Sequence, residues 1–243
     1  KDVAAIFIEP IQSDGGVIVP PKGFMKSLEK KCREHGILIV VDEVKVGLGR
    51  SGLMHAFQHD NLEPDFITFG KALGGGLPLS AVVGPKDLMD YTTAFSIMTT
   101  SGNPVSASAG MAVLRAIEEE NLITNAKLIG DNIQESFRQL ANKHDLIGDV
   151  RGRGLAVGIE LVNDRHKNKI AAKTETAKIV YRAYELGLVI FYVGMESNVL
   201  ELPPPLILNE NESKMGMEIL DQAIDDTTNG LVSDSAIEDF KGW

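Results

Sequence analysis

One lysine of this chain, Lys71, follows an apolar segment and has glycines on both sides, in DFITFGKALGGGLPLSAVVG (residues 65–84). A solvated surface lysine needs no glycine neighbours, whereas glycine lets the backbone pass close to a flat ligand. Lys71 is therefore predicted to be an amine that works at a ligand site. The chemistry open to such an amine is imine formation with a carbonyl compound.

Carboxylates stand at the ends of two other apolar segments. Glu9 follows AAIFI directly, and Asp42 and Glu43 follow ILIVV directly. In an open α/β sheet, ligands bind beyond the carboxyl ends of the strands. These residues are therefore predicted to meet Lys71 at one rim of a sheet, where a carboxylate beside a cation allows either group to be desolvated.

Pyridoxal phosphate (PLP) is a cofactor that uses this set of groups. It needs a lysine amine for its imine, and a carboxylate that keeps its ring nitrogen protonated so that the ring can accept electrons. It also needs apolar side chains against the ring faces and donors for its phosphate. The residues around Lys71 and Asp42 therefore favour PLP as the cofactor.

Apolar segments that alternate with helical patterns predict an α/β layered fold in the first half of the chain. The pattern of predicted strands and helices changes after about Asn121, and the second half is predicted to be a smaller α+β domain. We therefore expect domains at 1–121 and 122–243. The predicted strands are 3–8, 37–41, DFITF, SAVVG, GLAVGIEL, LGLVIFYVG and NVLELPPPL. The predicted helices cover about 22–34, a segment starting at Pro104, 122–143, 174–186 and 212–227.

The bulk composition excludes several classes of protein. A net charge of −10 and a pI of about 5.0 argue against a nucleic-acid or anionic-membrane surface. One cysteine, Cys32, and five histidines without ligand spacing predict no disulfide and no metal site. No apolar run approaches the length of a membrane span, and the cytoplasm is the expected compartment. The chain begins with a strand pattern and no initiator methionine, which favours a piece of a longer protein.

Four ordered motifs resemble the class III aminotransferases, PLP-dependent enzymes of fold-type I. They are VDEVKVGLGRSG, PDFITFGKALGGGLPLSAVVG, TTSGNPVSASAGMAVL and RGRGLAVGIEL, and Lys71 lies 29 positions after Asp42. The resemblance runs over nearly the whole chain and implies the C-terminal part of a large PLP-binding domain followed by a small domain. It also implies a homodimer with shared active sites. An earlier N-terminal portion of the family fold, which supplies a phosphate loop and a stacking aromatic, would be missing.

The resemblance assigns roles to four residues of the cofactor site. Lys71 would carry PLP as an imine, and Asp42 would pair with the ring nitrogen. Val44 would pack on a face of the ring. Thr99 matches the threonine that reaches the phosphate of the cofactor in the neighbouring subunit.

Other matched positions concern the substrate. Glu9 and Gln12, in EPIQSDGG, match a segment that lines the site. Lys45 stands where most members have glutamine. Glu201 stands where members that bind α-carboxylates usually have an arginine, just before PPL. A carboxylate at that position would repel a substrate carboxylate instead of clamping it.

Several stretches, including FIEPIQSDGGVIVPPKGF and ETAKIVYRAYELGLVIFYVGMESNVLE, are most similar to the α-amino-ε-caprolactam racemases of this family. This resemblance implies a racemase of an α-amino lactam or amino-acid amide, with Lys71 and Asp14 moving protons on opposite faces. Lys45 would tune the cofactor. Three alternatives stay open: an aminotransferase of amino or ω-amino acids, in which Arg151 or Arg153 clamps the carboxylate; an inactive partial fold; and, for Asp14, an ordinary turn residue.

Overall fold

A computed structural model describes residues 2–93, 98–167 and 169–240. They form two compact units, Lys1–Ile11 with Pro20–Thr124 and Gln12–Val19 with Asn125–Trp243. The boundary between the units at 124/125 lies close to the predicted domain boundary at 121/122. The segment Gln12–Val19, which was expected in the first domain, belongs instead to the second unit. Its hydrogen bonds to the sheet of that unit, described below, give the reason. The domain assignment itself stays a prediction.

The first unit contains a four-stranded sheet in the order β1-β2-β3-β4, in which β1, β2 and β3 are parallel and β4 is antiparallel to β3. The strands are β1 (Ala5–Ile8), β2 (Leu38–Asp42), β3 (Phe66–Phe69) and β4 (Ala81–Val83). The helices are α1 (Phe24–His35), α2 (Lys86–Met89) and α3 (Pro104–Glu119). All four predicted strands and both predicted helices of this half are present.

Local sequence explains how α1 and α3 are bounded. Helix α1 buries Met25 and Cys32 against β2 and ends at Gly36, whose left-handed φ of 67° suits a residue without a Cβ. Helix α3 starts at Pro104, as the sequence predicts. The side chain of Asn103 accepts hydrogen bonds from the amides of Val105 and Ser106, which satisfies two donors of the first turn.

The second unit contains an antiparallel sheet in the order β5-β6-β8-β7. Its strands are β5 (Ile147–Arg153), β6 (Ala156–Leu161), β7 (Phe191–Val193) and β8 (Val199–Leu202). Its helices are α4 (Leu122–Leu140), which begins in the first unit, α5 (Lys173–Glu185) and α6 (Glu210–Thr228). Across the described ranges of the chain, every helix is too short or too polar to cross a membrane.

The sequence analysis did not predict strand β5. Its residues IGDVRGR alternate poorly between apolar and polar types, and its place in the sheet comes from pairing with β6 along its whole length. Strand β7 is also shorter than the predicted LGLVIFYVG. The core of this unit lies between the sheet and the helices and is built from residues such as Phe137, Ile159 and Ile224.

Gly130 of α4 allows that helix to approach the turn between β5 and β6. We expect Gly130→Ala to lower the free energy of unfolding by about 1–3 kcal/mol, because the new methyl group would lie 1.9 Å from the carbonyl oxygen of Gly154. The matched control is Gly216→Ala in α6, where the methyl group would lie 3.9 Å from Leu188 Cδ1. That change should raise stability by about 0.5–1 kcal/mol. Denaturant unfolding measures both, and equal effects would contradict the packing account.

Candidate active site

Parallel pairing of β2 with β3 places a carboxylate at the carboxyl edge of the first sheet. Asp42, the last residue of β2, lies opposite Thr68 of β3, and the amide of Glu43 donates to the Thr68 carbonyl over 3.0 Å. The Oδ1 atom of Asp42 accepts a hydrogen bond of 2.9 Å from the amide of Val44. The side chain is therefore held in a tight turn at the strand end.

Lys71 lies just beyond the end of β3, at the same edge. It starts a one-turn 3-10 helix, Lys71–Gly74, and its φ of 44° is left-handed. Such a conformation costs roughly 1–3 kcal/mol for a residue with a side chain and is concentrated at functional sites. The turn is closed by a hydrogen bond of 2.9 Å from the amide of Leu73 to the carbonyl of Gly70. The exposed side chain of Lys71 lines a cleft of about 1350 Å³.

Two glycines near Lys71 make close packing possible. A Cβ at Gly70 would lie 3.2 Å from Val44 Cγ1, and a Cβ at Gly75 would lie 2.9 Å from Val113 Cγ2 of α3. Gly75 also has a left-handed φ of 57°. These glycines therefore fit Val44 and α3 of this same chain. Their expected role in approaching a cofactor and a partner chain stays a prediction.

The cleft has both apolar and hydroxyl-bearing walls. Val44 and Lys71 line it together, as do Phe69, Leu77, Leu79, Met98, Ser80, Thr100, Ser101 and Asn103. Thr99, the predicted phosphate contact, lies exposed between two of these residues. Val44 and Lys71 therefore share the cleft, Asp42 bonds to the amide of Val44, and Thr99 lies in a segment that borders the same cleft. Glu9, directly after β1, and Lys45, in the turn after Asp42, are half-buried in this unit.

Glu43 was expected at the rim of the sheet with Lys71, but the structure buries its carboxylate, because backbone amides of the same unit bind it. It is 1% exposed, and its two oxygens accept hydrogen bonds of 2.9 Å from the amides of Ala56 and Phe57. Burial raises the pKa of the Glu43 carboxyl from its ordinary value of 4.5 to about 7, although the two amide donors act in the opposite direction. The charge of Asp42 raises it further. Asp42 and Val44 lie in the same turn as Glu43. Through its two hydrogen bonds, Glu43 therefore holds this turn against the segment that contains Ala56 and Phe57.

The second unit brings together the other predicted residues. Gln12 and Asp14 are exposed on the segment Gln12–Val19, whereas Ser13 between them is buried. The hydroxyl of Ser13 donates a hydrogen bond of 2.8 Å to Oε1 of Glu201, which is only 4% exposed. Glu201 therefore contacts the segment that carries Gln12 and Asp14. No motif in the sequence pointed to Ser13, and only its position next to Asp14 could have drawn attention to it.

A second charged group lies between α4 and α6. Nε2 of the buried His144 is 2.6 Å from Asp221 Oδ1, and Asp225 completes a group with possible metal-ligand geometry. The ammonium of Lys143 donates to both carboxylates, over 2.8 and 2.6 Å. The ammonium of Lys143 therefore already pairs with both carboxylates, and the group acts as an ion-pair network.

Comparison with known proteins decides the family. The model of the class-III aminotransferase family matches residues 1–224. The chain belongs to the class III aminotransferase family. A transaminase from Virgibacillus superposes with a TM-score of 0.89 at 32% identity, over 93% of this chain and 54% of that one. The ornithine aminotransferase of Toxoplasma gondii, described with partial occupancy of PLP at its active site, gives a TM-score of 0.86 at 30% identity, over 94% and 52%. These structures confirm the predicted fold class, part of a fold-type I large domain with a smaller α+β domain.

Relatives within the class III family include both racemases and aminotransferases. The leucine/methionine racemase of Thermococcus litoralis is 43% identical over 99% of this chain and 54% of the relative. The isoleucine 2-epimerase of Lentilactobacillus buchneri is 39% identical over 100% and 54%. The 4-aminobutyrate aminotransferase GabT of Escherichia coli is 39% identical over 93% and 53%. The chain spans about half the length of the curated relatives it matches.

The raised pKa of Glu43 predicts a pH dependence of stability. Between pH 4.5 and about 7 the folded protein keeps a proton on Glu43 that the unfolded chain releases, so this residue lowers stability as the pH rises through that window. Relative to Glu43→Gln, the free energy of unfolding of the unaltered protein should fall by roughly 3 kcal/mol from pH 4 to pH 8.

The control for this pH series is Glu119→Gln, which removes one negative charge from the exposed surface of α3. Denaturant titrations at each pH give the comparison. If the stability of the unaltered protein relative to Glu43→Gln stayed constant, or rose with pH, Glu43 would be ionised in the folded protein throughout, and the account would be wrong.

Proposed function

We propose that the protein to which this chain contributes is a PLP-dependent racemase or epimerase that acts on an α-amino lactam or amino-acid amide. One observation carries the cofactor part of the proposal. Lys71 and Asp42 leave adjacent strands at one sheet edge, and Lys71, in a left-handed conformation, shares a cleft with Val44. An amine, a carboxylate and an aliphatic side chain are the groups that PLP requires, so the residues fit the cofactor.

Each residue has a defined task in this proposal. Lys71 Nζ would hold the cofactor covalently, the Asp42 carboxylate would keep the ring nitrogen protonated, and Val44 would pack on the ring. PLP, when bound, withdraws electrons and so acidifies the α-hydrogen of the bound amine. Once the substrate amine has displaced Lys71 Nζ from the cofactor, the freed amine would take or return the α-proton on one face of the substrate. Glu43 supports Asp42 by holding its turn, and we assign Glu9, Gln12 and Lys45 to the lining of the site.

Racemisation requires a second proton carrier on the opposite face, and we assign this task to Asp14. Asp14 is exposed, and Ser13 directly before it is buried and hydrogen-bonded. Two of the relatives described above are named as a racemase and an epimerase, at 43% and 39% identity. Their names support stereochemical inversion in this branch of the family.

Glu201 supports a substrate without a free α-carboxylate. The negative charge of Glu201, which lies behind the hydroxyl of Ser13, would make binding of an α-amino acid less favourable than binding of a neutral amide. Arg151 could otherwise clamp a carboxylate, but its guanidinium donates to the carbonyls of Gly16 and Val17 and pairs with Glu160 over 2.6 Å. These contacts favour the lactam or amide.

An aminotransferase is the second candidate, because GabT of Escherichia coli is 39% identical to this chain. In that case the substrate carboxylate would be bound by an arginine such as Arg153, or by one from outside this chain. We further propose a cytoplasmic homodimer with shared active sites, in which Thr99 reaches the phosphate of the cofactor bound to the partner. The N-terminal portion that the relatives possess would complete each site.

Lys71 should be the attachment point of PLP. Borohydride reduction of the complete PLP-loaded protein should leave a pyridoxyl group on the peptide that contains Lys71, as detected by mass spectrometry. Lys71→Ala should abolish this adduct and lower turnover by at least about a thousandfold, because both covalent attachment and proton transfer are lost. Lys30→Ala, on the exposed face of α1, is the matched control and should keep both. An adduct on another lysine would refute the assignment.

The reaction type should be visible in deuterated water. A single enantiomer of an α-amino lactam should lose optical rotation and gain deuterium at its α-carbon without any keto acid, since inversion needs only proton exchange. The corresponding free amino acid should react at least ten times more slowly. Amino transfer to pyruvate or 2-oxoglutarate with retained chirality would instead establish the aminotransferase.

A further inference from the structure

The segment that carries Asp14 has a strained backbone. Gln12 and Ile18 pair through two hydrogen bonds of 3.0 and 2.8 Å and close a short reverse turn. Within it, Val17 has a left-handed φ of 52° and is 1% exposed. A β-branched residue adopts this conformation only where the surroundings fix it. The turn therefore depends on what it packs against.

This turn packs on the face of the second sheet that points away from the helical core. In β8, Leu200 and Leu202 belong to the core, so Val199 and Glu201 point to the opposite face. Gly158 of β6 leaves room for the turn there, because a Cβ at Gly158 would lie 2.7 Å from Val17 Cβ.

Three contacts anchor the turn on either side of Asp14. The Ser13 hydroxyl donates to Glu201 over 2.8 Å, with both residues buried. The Gly194 amide donates to the carbonyl of Asp14 over 3.0 Å. The Arg151 guanidinium donates to the carbonyl of Gly16 over 2.7 Å. The backbone of Asp14 is thus fixed to the sheet while its side chain stays exposed.

We propose that Glu201 is a positioning residue: through Ser13 it holds the turn in the one conformation that presents the Asp14 carboxyl to the substrate. The inference rests on the proposed function, in which Asp14 carries the second proton. Proton transfer requires an approach of about 2.6–3.2 Å, and a displacement of 1 Å costs on the order of a hundredfold in rate. The loss of the contact between Ser13 and Glu201 should therefore displace Asp14 and lower the rate of its proton transfer.

The positioning role can be separated from the charge of Glu201. Glutamine keeps an oxygen that accepts from the Ser13 hydroxyl but carries no charge, whereas alanine removes both. Glu201→Gln should therefore restore what Glu201→Ala loses in positioning. Ser13→Ala removes only the hydroxyl, so it probes the same contact with the charge of Glu201 kept.

The test uses the complete PLP-loaded protein, with each enantiomer of an α-amino lactam in deuterated water. Two quantities are measured: exchange of the α-hydrogen without inversion, which Lys71 alone can perform, and inversion, which also needs Asp14. Asp14→Asn should lower the ratio of inversion to exchange at least about a hundredfold. Ser13→Ala and Glu201→Ala should lower it about 10- to 100-fold, and Glu201→Gln should return it to within a few-fold of the unaltered protein.

The matched control is Thr227→Ala, which removes a buried hydroxyl that bonds to Ala223 within α6. It should leave the ratio unchanged. If Ser13→Ala keeps the ratio, or lowers inversion and exchange equally, the positioning role is wrong while the proposed function stands. If Asp14→Asn keeps the ratio, the assignment of Asp14 fails and the proposed two-carrier mechanism with it. Should Glu201→Ala not fold, Ser13→Ala decides the question alone.

Discussion

The parallel pairing of β2 with β3 is the constraint on which the site depends. It sets Asp42 opposite Thr68, and because the two strands run parallel, Asp42 at the end of β2 and Lys71 just beyond β3 lie at the same edge of the sheet. The neighbouring contacts protect this arrangement. Glu43 ties the turn after β2 to two backbone amides, and Val44 packs where Gly70 has no side chain. A cofactor that needs an amine and a carboxylate finds both residue types at this edge of the sheet.

The two proposed proton carriers, Lys71 and Asp14, lie in or near backbone with a left-handed φ. In both places, neighbouring helices or strands hold this strained backbone. Lys71 itself has a left-handed φ, and Val17 in the turn with Asp14 has another. The first is held by a 3-10 turn against α3, and the second by hydrogen bonds to an antiparallel sheet. Strain of this kind persists only when packing around it is rigid, and it orients a side chain more closely than a relaxed loop does. The buried pair of Ser13 and Glu201 belongs to this support.

The parts of the structure that the sequence predicted are those governed by local patterns. Continuous apolar runs gave β1 and β2, and Pro104 after Asn103 gave the start of α3, because capping and burial are encoded within a few residues. The position of Asp42 at the end of a strand was predictable for the same reason, because the residue directly follows an apolar run. Strand β5 was not, since its polar sequence becomes a strand only by pairing with β6. The contact of Ser13 with Glu201 joins residues 188 positions apart, and no local signal marks it.

A crystal structure of the complete protein with PLP would test the central claim most directly, namely that Lys71 and Asp42 form one cofactor centre. The account predicts continuous density from Lys71 Nζ to the cofactor. It also predicts an Asp42 carboxylate oxygen within about 2.7–3.2 Å of the ring nitrogen. A cofactor joined to another lysine, or a ring nitrogen that faces no carboxylate, would contradict it.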